Sequence, residues 1–333
     1  MQQDLLRDLL RQVSRSFYLS LQWLPADVRS PLSLAYLLAR TSDTIADTAW
    51  IPAGERLVAL EQLARRIAGT DSAPVNFKPL SAGQGDPAEA ALLARAEDAL
   101  TLLAGLPESD RQLIRQVLAT IISGQSLDLE RFARGSESLI VPLATAADLE
   151  DYTYRVAGCV GEFWTRVCFL HLRPSAERSE AEMIRLGVRY GQGLQLVNIL
   201  RDLSRDLRQG RCYLPLDQLQ SAKLEPRDLL EPASESSLRP VFDAWLDQAQ
   251  ARLKDGWIYT SAYPRRLARV RISCALPILI GWRTLDRLRT GRILDPARRI
   301  KVPRRAVQWL VVRTLLAHPF PALWRRLGSG RVR

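Results

Sequence analysis

Histidine is nearly absent from this 333-residue chain, with only His171 and His318 present, and the four cysteines, Cys159, Cys168, Cys212 and Cys274, form no close pair. Zinc and iron–sulfur centres, which need such ligands at short spacings, are therefore poorly supported. Long apolar runs are missing too. The stretch 274–282 is short and Arg313 interrupts 306–317, whereas a membrane-spanning helix needs roughly 20 apolar residues. Asp4, Arg7 and Asp8 stand among the first leucines, so the N-terminus lacks the apolar core of a secretion signal. These absences lead to the expectation of a cytoplasmic protein with reduced, structural cysteines. No repeat or clear linker divides the chain, and no segment reads convincingly as a strand.

Helical patterning is what remains. It predicts helices over 4–22, 31–48, 53–68, 88–104, 108–134, 148–171, 177–208, 238–256, 263–290 and 303–317. Ser30-Pro31 is a start signal, with serine at the cap and proline at the first helical position. Residues 70–88, rich in Gly, Pro and Ser, and 231–237 are expected to be loops. Gly158 and Gly161 would let their helix approach a neighbour closely.

Acidic residues are scarce at one end of the chain. From Ala262 onward eighteen Arg and Lys face two acids, Asp286 and Asp295, so that segment carries +16 and the remainder −5 of the total +11. Nucleic acid and anionic membranes both attract such a surface, the latter by about 1 kcal/mol per basic residue. An arginine-rich surface without a partner is the plainer explanation.

Two acidic signatures share one helical spacing: Asp43-Thr-Ile-Ala-Asp47, and Asn198-Ile-Leu-Arg-Asp202-Leu-Ser-Arg-Asp206. Aspartates four residues apart project from one helix face. The second stripe reads back through Gln195 to Gly191, while Leu194, Leu196, Val197, Ile199, Leu200 and Leu203 make the other faces apolar. The first includes Tyr36 and Arg40, with Leu34, Leu37, Leu38, Thr41 and Ile45 pointing elsewhere. Such a pair beside arginines is ordinarily a solvated salt-bridged face. Two similar stripes, one on a helix too apolar to be exposed, favour a site instead, because burying carboxylates uncompensated costs several kcal/mol each. Carboxylates with an amide suit Mg2+, which prefers one or two carboxylates plus substrate phosphate oxygens. A phosphate ester is the implied substrate.

These residues bring the chain to a known family. It resembles the squalene/phytoene synthases over about residues 10–290, through Ser14-Arg-Ser-Phe17, Ala35-Tyr-Leu-Leu-Ala-Arg40, Tyr152-Thr-Tyr-Arg-Val-Ala-Gly-Cys-Val-Gly161, and Gly193-Leu-Gln-Leu-Val-Asn-Ile-Leu-Arg-Asp202 running on to Gly210-Arg-Cys-Tyr-Leu-Pro215. The resemblance implies an all-α, single-domain bundle of the isoprenoid-synthase type around a central apolar cavity. Residues 1–290 would form the catalytic domain and 291–333 a basic extension packed on or continuing it, with possible contact to a membrane surface. It also implies that Asp43, Asp47, Asn198, Asp202 and Asp206 hold Mg2+ bridging to substrate diphosphates. Ser14, Ser16, Tyr36, Arg40, Arg201, Arg211 and Tyr213 match positions that contact diphosphate or order the site. Tyr152 matches a catalytic tyrosine, and Gln195 a polar residue lining the cavity.

The implied reaction is head-to-head condensation of two farnesyl diphosphates to presqualene diphosphate, then reduction by NADPH to squalene. Thr44 directly after Asp43 favours squalene synthases, since many phytoene synthases have two adjacent aspartates there; Ala46 lacks the acid of animal squalene synthases. The alternatives are phytoene or dehydrosqualene formed without NADPH, or a reaction stopping at presqualene diphosphate. A non-catalytic membrane-associated assembly protein is the rival from another class. A nucleic-acid partner is not expected, because it leaves both acidic stripes unexplained. The expected location is peripheral on the inner membrane face, with no expectation for the oligomeric state.

Overall fold

The computed structural model describes residues 4–13, 21–174, 177–298 and 300–329. Two compact units carry the chain, one formed by residues 1–133 and 163–174 and the other by 134–162 and 175–333.

In the first unit, α1 (Ala26–Asp47) packs on α2 (Ala53–Ala68), α3 (Pro87–Ala94), α4 (Ala96–Ala104) and α5 (Glu108–Arg131). α1 begins one turn before Ser30-Pro31. Burial of Val28 with Leu32 favours this extra turn, and Arg29 N–H donates to the Pro25 carbonyl at 2.9 Å. Pro31 therefore lies inside the helix and Ser30 is not its cap. The helix expected over 88–104 divides at Arg95, whose φ of −107° leaves the helical range. Part of the expected 70–88 loop is helical, at Lys78–Ala82, and Asp86 caps α3 by accepting from the Ala88 N–H at 2.9 Å.

In the second unit, β1 (Val141–Leu143) leads to α6 (Ala146–Thr153), where Thr145 and Asp148 form a reciprocal cap. α6 passes through one wide π turn at Tyr154–Gly158 into α7 (Cys159–Leu172), whose far end belongs to the first unit. α8 (Glu180–Arg208) opens on a second reciprocal cap, Ser179 with Glu182, and leads into β2 (Arg211–Pro215). β1 and β2 pair in parallel, with Val141 opposite Arg211. At three and five residues, both strands are too short to show alternation along the sequence. Gly210 makes the turn between α8 and β2 at φ +77°, where a side chain would meet the Gly135 and Ser136 backbone. α9 (Glu235–Ala262) and α10 (Ala268–Thr290) pack on α8, and α11 (Arg304–Ala317) and α12 (Pro321–Gly328) follow. The sequence pattern did not anticipate α12. It also did not anticipate the early start of α9, which takes in part of the expected 231–237 loop.

The helix containing Tyr152 approaches α8 as its glycines allow. A Cβ on Gly161 would lie 1.9 Å from the Gly187 carbonyl oxygen, and one on Gly191 would lie 2.2 Å from that of Ala157. Gly191, read from the sequence as the end of the polar stripe, thus serves this helix contact.

Both histidines have packing partners. His171 Nε2 lies 2.7 Å from Asp110 Oδ1, and the His318 ring meets Trp324 edge to face. All four cysteines are buried and none is in a disulfide. Burial pushes the Cys159 and Cys212 thiols up to about 12, so they stay protonated near neutrality.

Candidate active site

In the first unit, α1 divides along its length as its sequence pattern predicts. Leu34, Leu37, Leu38, Thr41 and Ile45 are buried, whereas Tyr36, Arg40, Asp43 and Asp47 retain solvent access. Arg40 makes ion pairs with Asp43 one turn on and with Glu89 on α3. Glu89 is a member of this cluster that sequence reasoning missed, because it is far from Asp43 along the chain and no helical period links them.

Asp43 retains 44% of its side-chain surface, yet its carboxyl group is crowded by surrounding protein. That desolvation, followed by the like charge of Asp47, pushes its pKa up to about 6 despite the opposing pull of Arg40. Between the unperturbed carboxyl range and about pH 6 the folded chain holds a proton that the unfolded chain has released. Stability therefore falls as pH rises through this window. Asp43→Asn is accordingly expected to melt slightly higher than the parent at pH 8 in chelator, the gain being reduced by solvent screening at a side chain 44% exposed, with the difference closing toward pH 4. A variant that melts lower than the parent at pH 8 would show that the Arg40 ion pair outweighs the crowding.

The neighbours of Asp43 bear on subtype. Thr44 is 2% exposed and Ala46 is also buried. Neither lies on the open stripe. The residues at 44 and 46 therefore report the packing of α1 rather than the number of carboxylates at the site.

The second unit carries the other stripe. Leu196, Val197, Ile199, Leu200 and Leu203 of α8 are buried, Asn198 is exposed, and Gln195, Asp202 and Asp206 are intermediate. Asn198 Nδ2 donates to Gln195 Oε1 at 3.5 Å. Arg201 grips its neighbour Asp202 with two hydrogen bonds, Nε to Oδ1 at 3.0 Å and Nη2 to Oδ2 at 2.5 Å. Each stripe thus pairs one carboxylate with an arginine from its own helix.

Strand β2 brings Tyr213 against Tyr152 of α6. Their rings stack with centroids 4.9 Å apart, and the Tyr152 hydroxyl donates to that of Tyr213 at 3.4 Å. Both tyrosines are buried. They lie 61 residues apart in sequence, so only the fold makes them a pair. Arg211 opens the same strand and is partly exposed. A further polar group was not anticipated: buried Arg252 of α9 pairs with Glu150 on α6, and Gln192 of α8 donates to the Glu150 carbonyl at 3.3 Å. It fixes the helix that carries Tyr152. Ser14 and Ser16 lie outside the described residues.

Both stripes offer oxygen ligands alone, and no group of three or more His, Cys, Asp or Glu residues able to hold a metal occurs among the described residues. Such sparse oxygen sets fit a hard divalent cation that completes its shell with water and ligand oxygens, as Mg2+ does. They do not fit a structural zinc cage.

Known proteins resemble this chain in sequence and in fold. The squalene/phytoene synthase family matches residues 10–306. A bifunctional lycopene cyclase/phytoene synthase of Colletotrichum graminicola is 29% identical over 318 residues, covering 92% of this chain and 50% of its own. A phytoene synthase of Thermus thermophilus is 33% identical over 183 residues, covering 54% of this chain and 58% of its own. The chain thus spans about half the length of the curated relatives it matches. Among solved structures, TcSQS in complex with the ligand BPH1237 superposes with a TM-score of 0.78 at 19% identity, covering 100% of this chain and 92% of that one. This likeness establishes the all-α isoprenoid-synthase fold. With the family match extending through both acidic stripes and the tyrosine pair, the chain belongs to the squalene/phytoene synthase family.

Proposed function

We propose that this chain condenses two prenyl diphosphates head to head, with the acidic stripes of α1 and α8 holding the diphosphates. The observation that carries this reading is the duplicated pattern: two helices, each burying its apolar faces and leaving open an arginine-paired aspartate with further oxygen ligands. Asp43, Asp47, Asn198, Asp202 and Asp206 would hold Mg2+, which supplies positive charge to a departing diphosphate. Arg40 and Arg201, now on Asp43 and Asp202, are placed to exchange those carboxylates for diphosphate oxygens.

In the reaction, the allylic C–O bond of one substrate breaks and diphosphate leaves with the electron pair. The second substrate's double bond attacks the resulting cation, and loss of a proton closes a cyclopropane. Tyr152 and Tyr213 form a buried, hydrogen-bonded hydroxyl pair to which a proton acceptor role is assigned, with released diphosphate as the final base. Water must be kept out, because it would trap the cations as alcohols. Tyr152→Phe is expected to lower turnover by about 10²-fold, the scale of lost acid–base catalysis, and to raise the share of alcohols with little change in KM. A variant with the parental rate and products would make Tyr152 a packing residue.

Two outcomes remain for the cyclopropyl intermediate after its second diphosphate leaves. Hydride supplied by NADPH would give squalene from farnesyl chains, the reading favoured by Asp43-Thr44. Proton loss gives phytoene from geranylgeranyl chains, supported by the names of the sequence relatives. Burial of Thr44 weakens the first observation without supplying evidence for the second. Incubation with each diphosphate and Mg2+, with and without NADPH, decides between them. NADPH-dependent squalene selects the first, NADPH-independent phytoene the second, and no coupled product from either substrate sinks the condensation reading. We further propose that the enzyme works as a peripheral protein on an anionic membrane, as its hydrocarbon product and basic C-terminal segment suggest.

A further inference from the structure

Helix α11 buries one face and leaves the other uncovered. Leu310, Thr314 and Ala317 are buried, while on the opposite side Trp309 is 58% exposed and Leu316 63%. Trp309, Val312 and Leu316 follow at steps of three and four, one helical stripe. The stripe continues past the turn, where Phe320 is 58% exposed and Leu323 stands open on α12. Underneath, Trp324 anchors α12 by stacking on Trp257 with centroids 5.0 Å apart and donating to Ser261 Oγ at 3.1 Å. The Arg271 guanidinium sits 4.6 Å from the Trp324 ring centroid. The exposed edge is thus held on a packed base.

Charge identifies the occupant. Arg304 and Arg305 stand at the start of α11 and Arg325 and Arg326 on α12, all exposed. Among the described residues none of the four makes an ion pair, and no Asp or Glu follows Asp295 in the sequence. An apolar edge with Trp and Phe, flanked by unpaired arginines, matches a helix lying in the plane of an anionic bilayer. It does not match a span: no described helix is long and apolar enough to cross a membrane.

We propose that α11 and α12 form a membrane-docking surface, with Trp309, Leu316, Phe320 and Leu323 entering the boundary between headgroups and acyl chains and the arginines pairing with anionic lipid headgroups. This rests on the peripheral-membrane reading above and adds insertion to it, so the two can fail separately.

The test is sedimentation of the full chain with phosphatidylcholine vesicles, alone or mixed with phosphatidylglycerol, at about 0.1 M salt and above. The parent is expected to bind the mixed vesicles and to release partly as salt rises. W309S/L316S/F320S and R305E/R325E/R326E should each weaken binding at least about tenfold while keeping the parental melting temperature. Parental binding by the apolar variant overturns insertion but leaves electrostatic attachment standing. No vesicle binding by the parent overturns both. A parental dimer in solution that only the apolar variant loses, with vesicle binding unchanged, assigns the stripe to a second copy and overturns the proposal.

Discussion

Asp202→Asn and Asp206→Asn are each expected to cut turnover by on the order of 10³-fold or more, the scale of losing an electrostatic contact made to charge developing in the transition state. Both residues lie on the open stripe of α8, beside which Leu196, Val197, Ile199, Leu200 and Leu203 are buried. An amide keeps the shape of the carboxylate and removes its charge. The fold should therefore persist while the cation site weakens. For Asp202 the change also removes the paired acceptor that holds Arg201. Steady-state rates across a Mg2+ series, with circular dichroism as the fold control, provide the measurement. Near-parental rates at ordinary Mg2+ concentrations would remove α8 from the chemistry.

Gly161→Ala should have a large effect on stability. Its new methyl group would lie 1.9 Å from the Gly187 carbonyl oxygen and 2.9 Å from the Val188 nitrogen, both backbone atoms that no rotamer change can move aside. The helix and α8 must part. Overpacking of side chains ordinarily costs about 1–3 kcal/mol, and here the obstacle is backbone, so a cost above about 3 kcal/mol is expected. Thermal melts should show a large fall for Gly161→Ala. Gly54→Ala is the control: nothing lies within 4 Å of its Cβ in α2, and alanine there should stabilise by up to about 1 kcal/mol. Equal melting temperatures for the two variants would mean that the crossing is looser than these distances imply. A folded Gly161→Ala protein with low turnover would show instead that the crossing also positions Tyr152.

The acidic stripes were legible because a helix places side chains by sequence spacing alone. Residues four apart share a face wherever the helix sits. This is why Asp43 with Asp47, and Asn198 with Asp202 and Asp206, could be read from the chain, and why Leu34, Leu37, Leu38 and Ile45 of α1 and Leu196, Val197, Ile199, Leu200 and Leu203 of α8 are buried, although Leu194 keeps partial exposure. Gly158 and Gly161 were legible for a related reason, since small residues one turn apart mark a close helix contact, although their partner was not. The helix start at Ser30-Pro31 was misplaced because a local cap signal was weighed without knowing that Val28 would be buried. The strands escaped notice because five residues or fewer carry too little pattern, and parallel pairing joins positions about 70 apart.

Local periodicity by itself determined the helical class and the two carboxylate faces, and composition the surplus of arginine at one end. Tertiary structure alone decided which distant residues share an environment: Glu89 with Arg40, Tyr213 with Tyr152, and Glu150 with Arg252. It also decided that Thr44 and Ala46 belong to the core and that the outer face of α11 remains uncovered. The division has a physical origin. Helix geometry is fixed by hydrogen bonds four residues long, whereas burial and ion pairing depend on which helices pack together, a choice made by the whole chain.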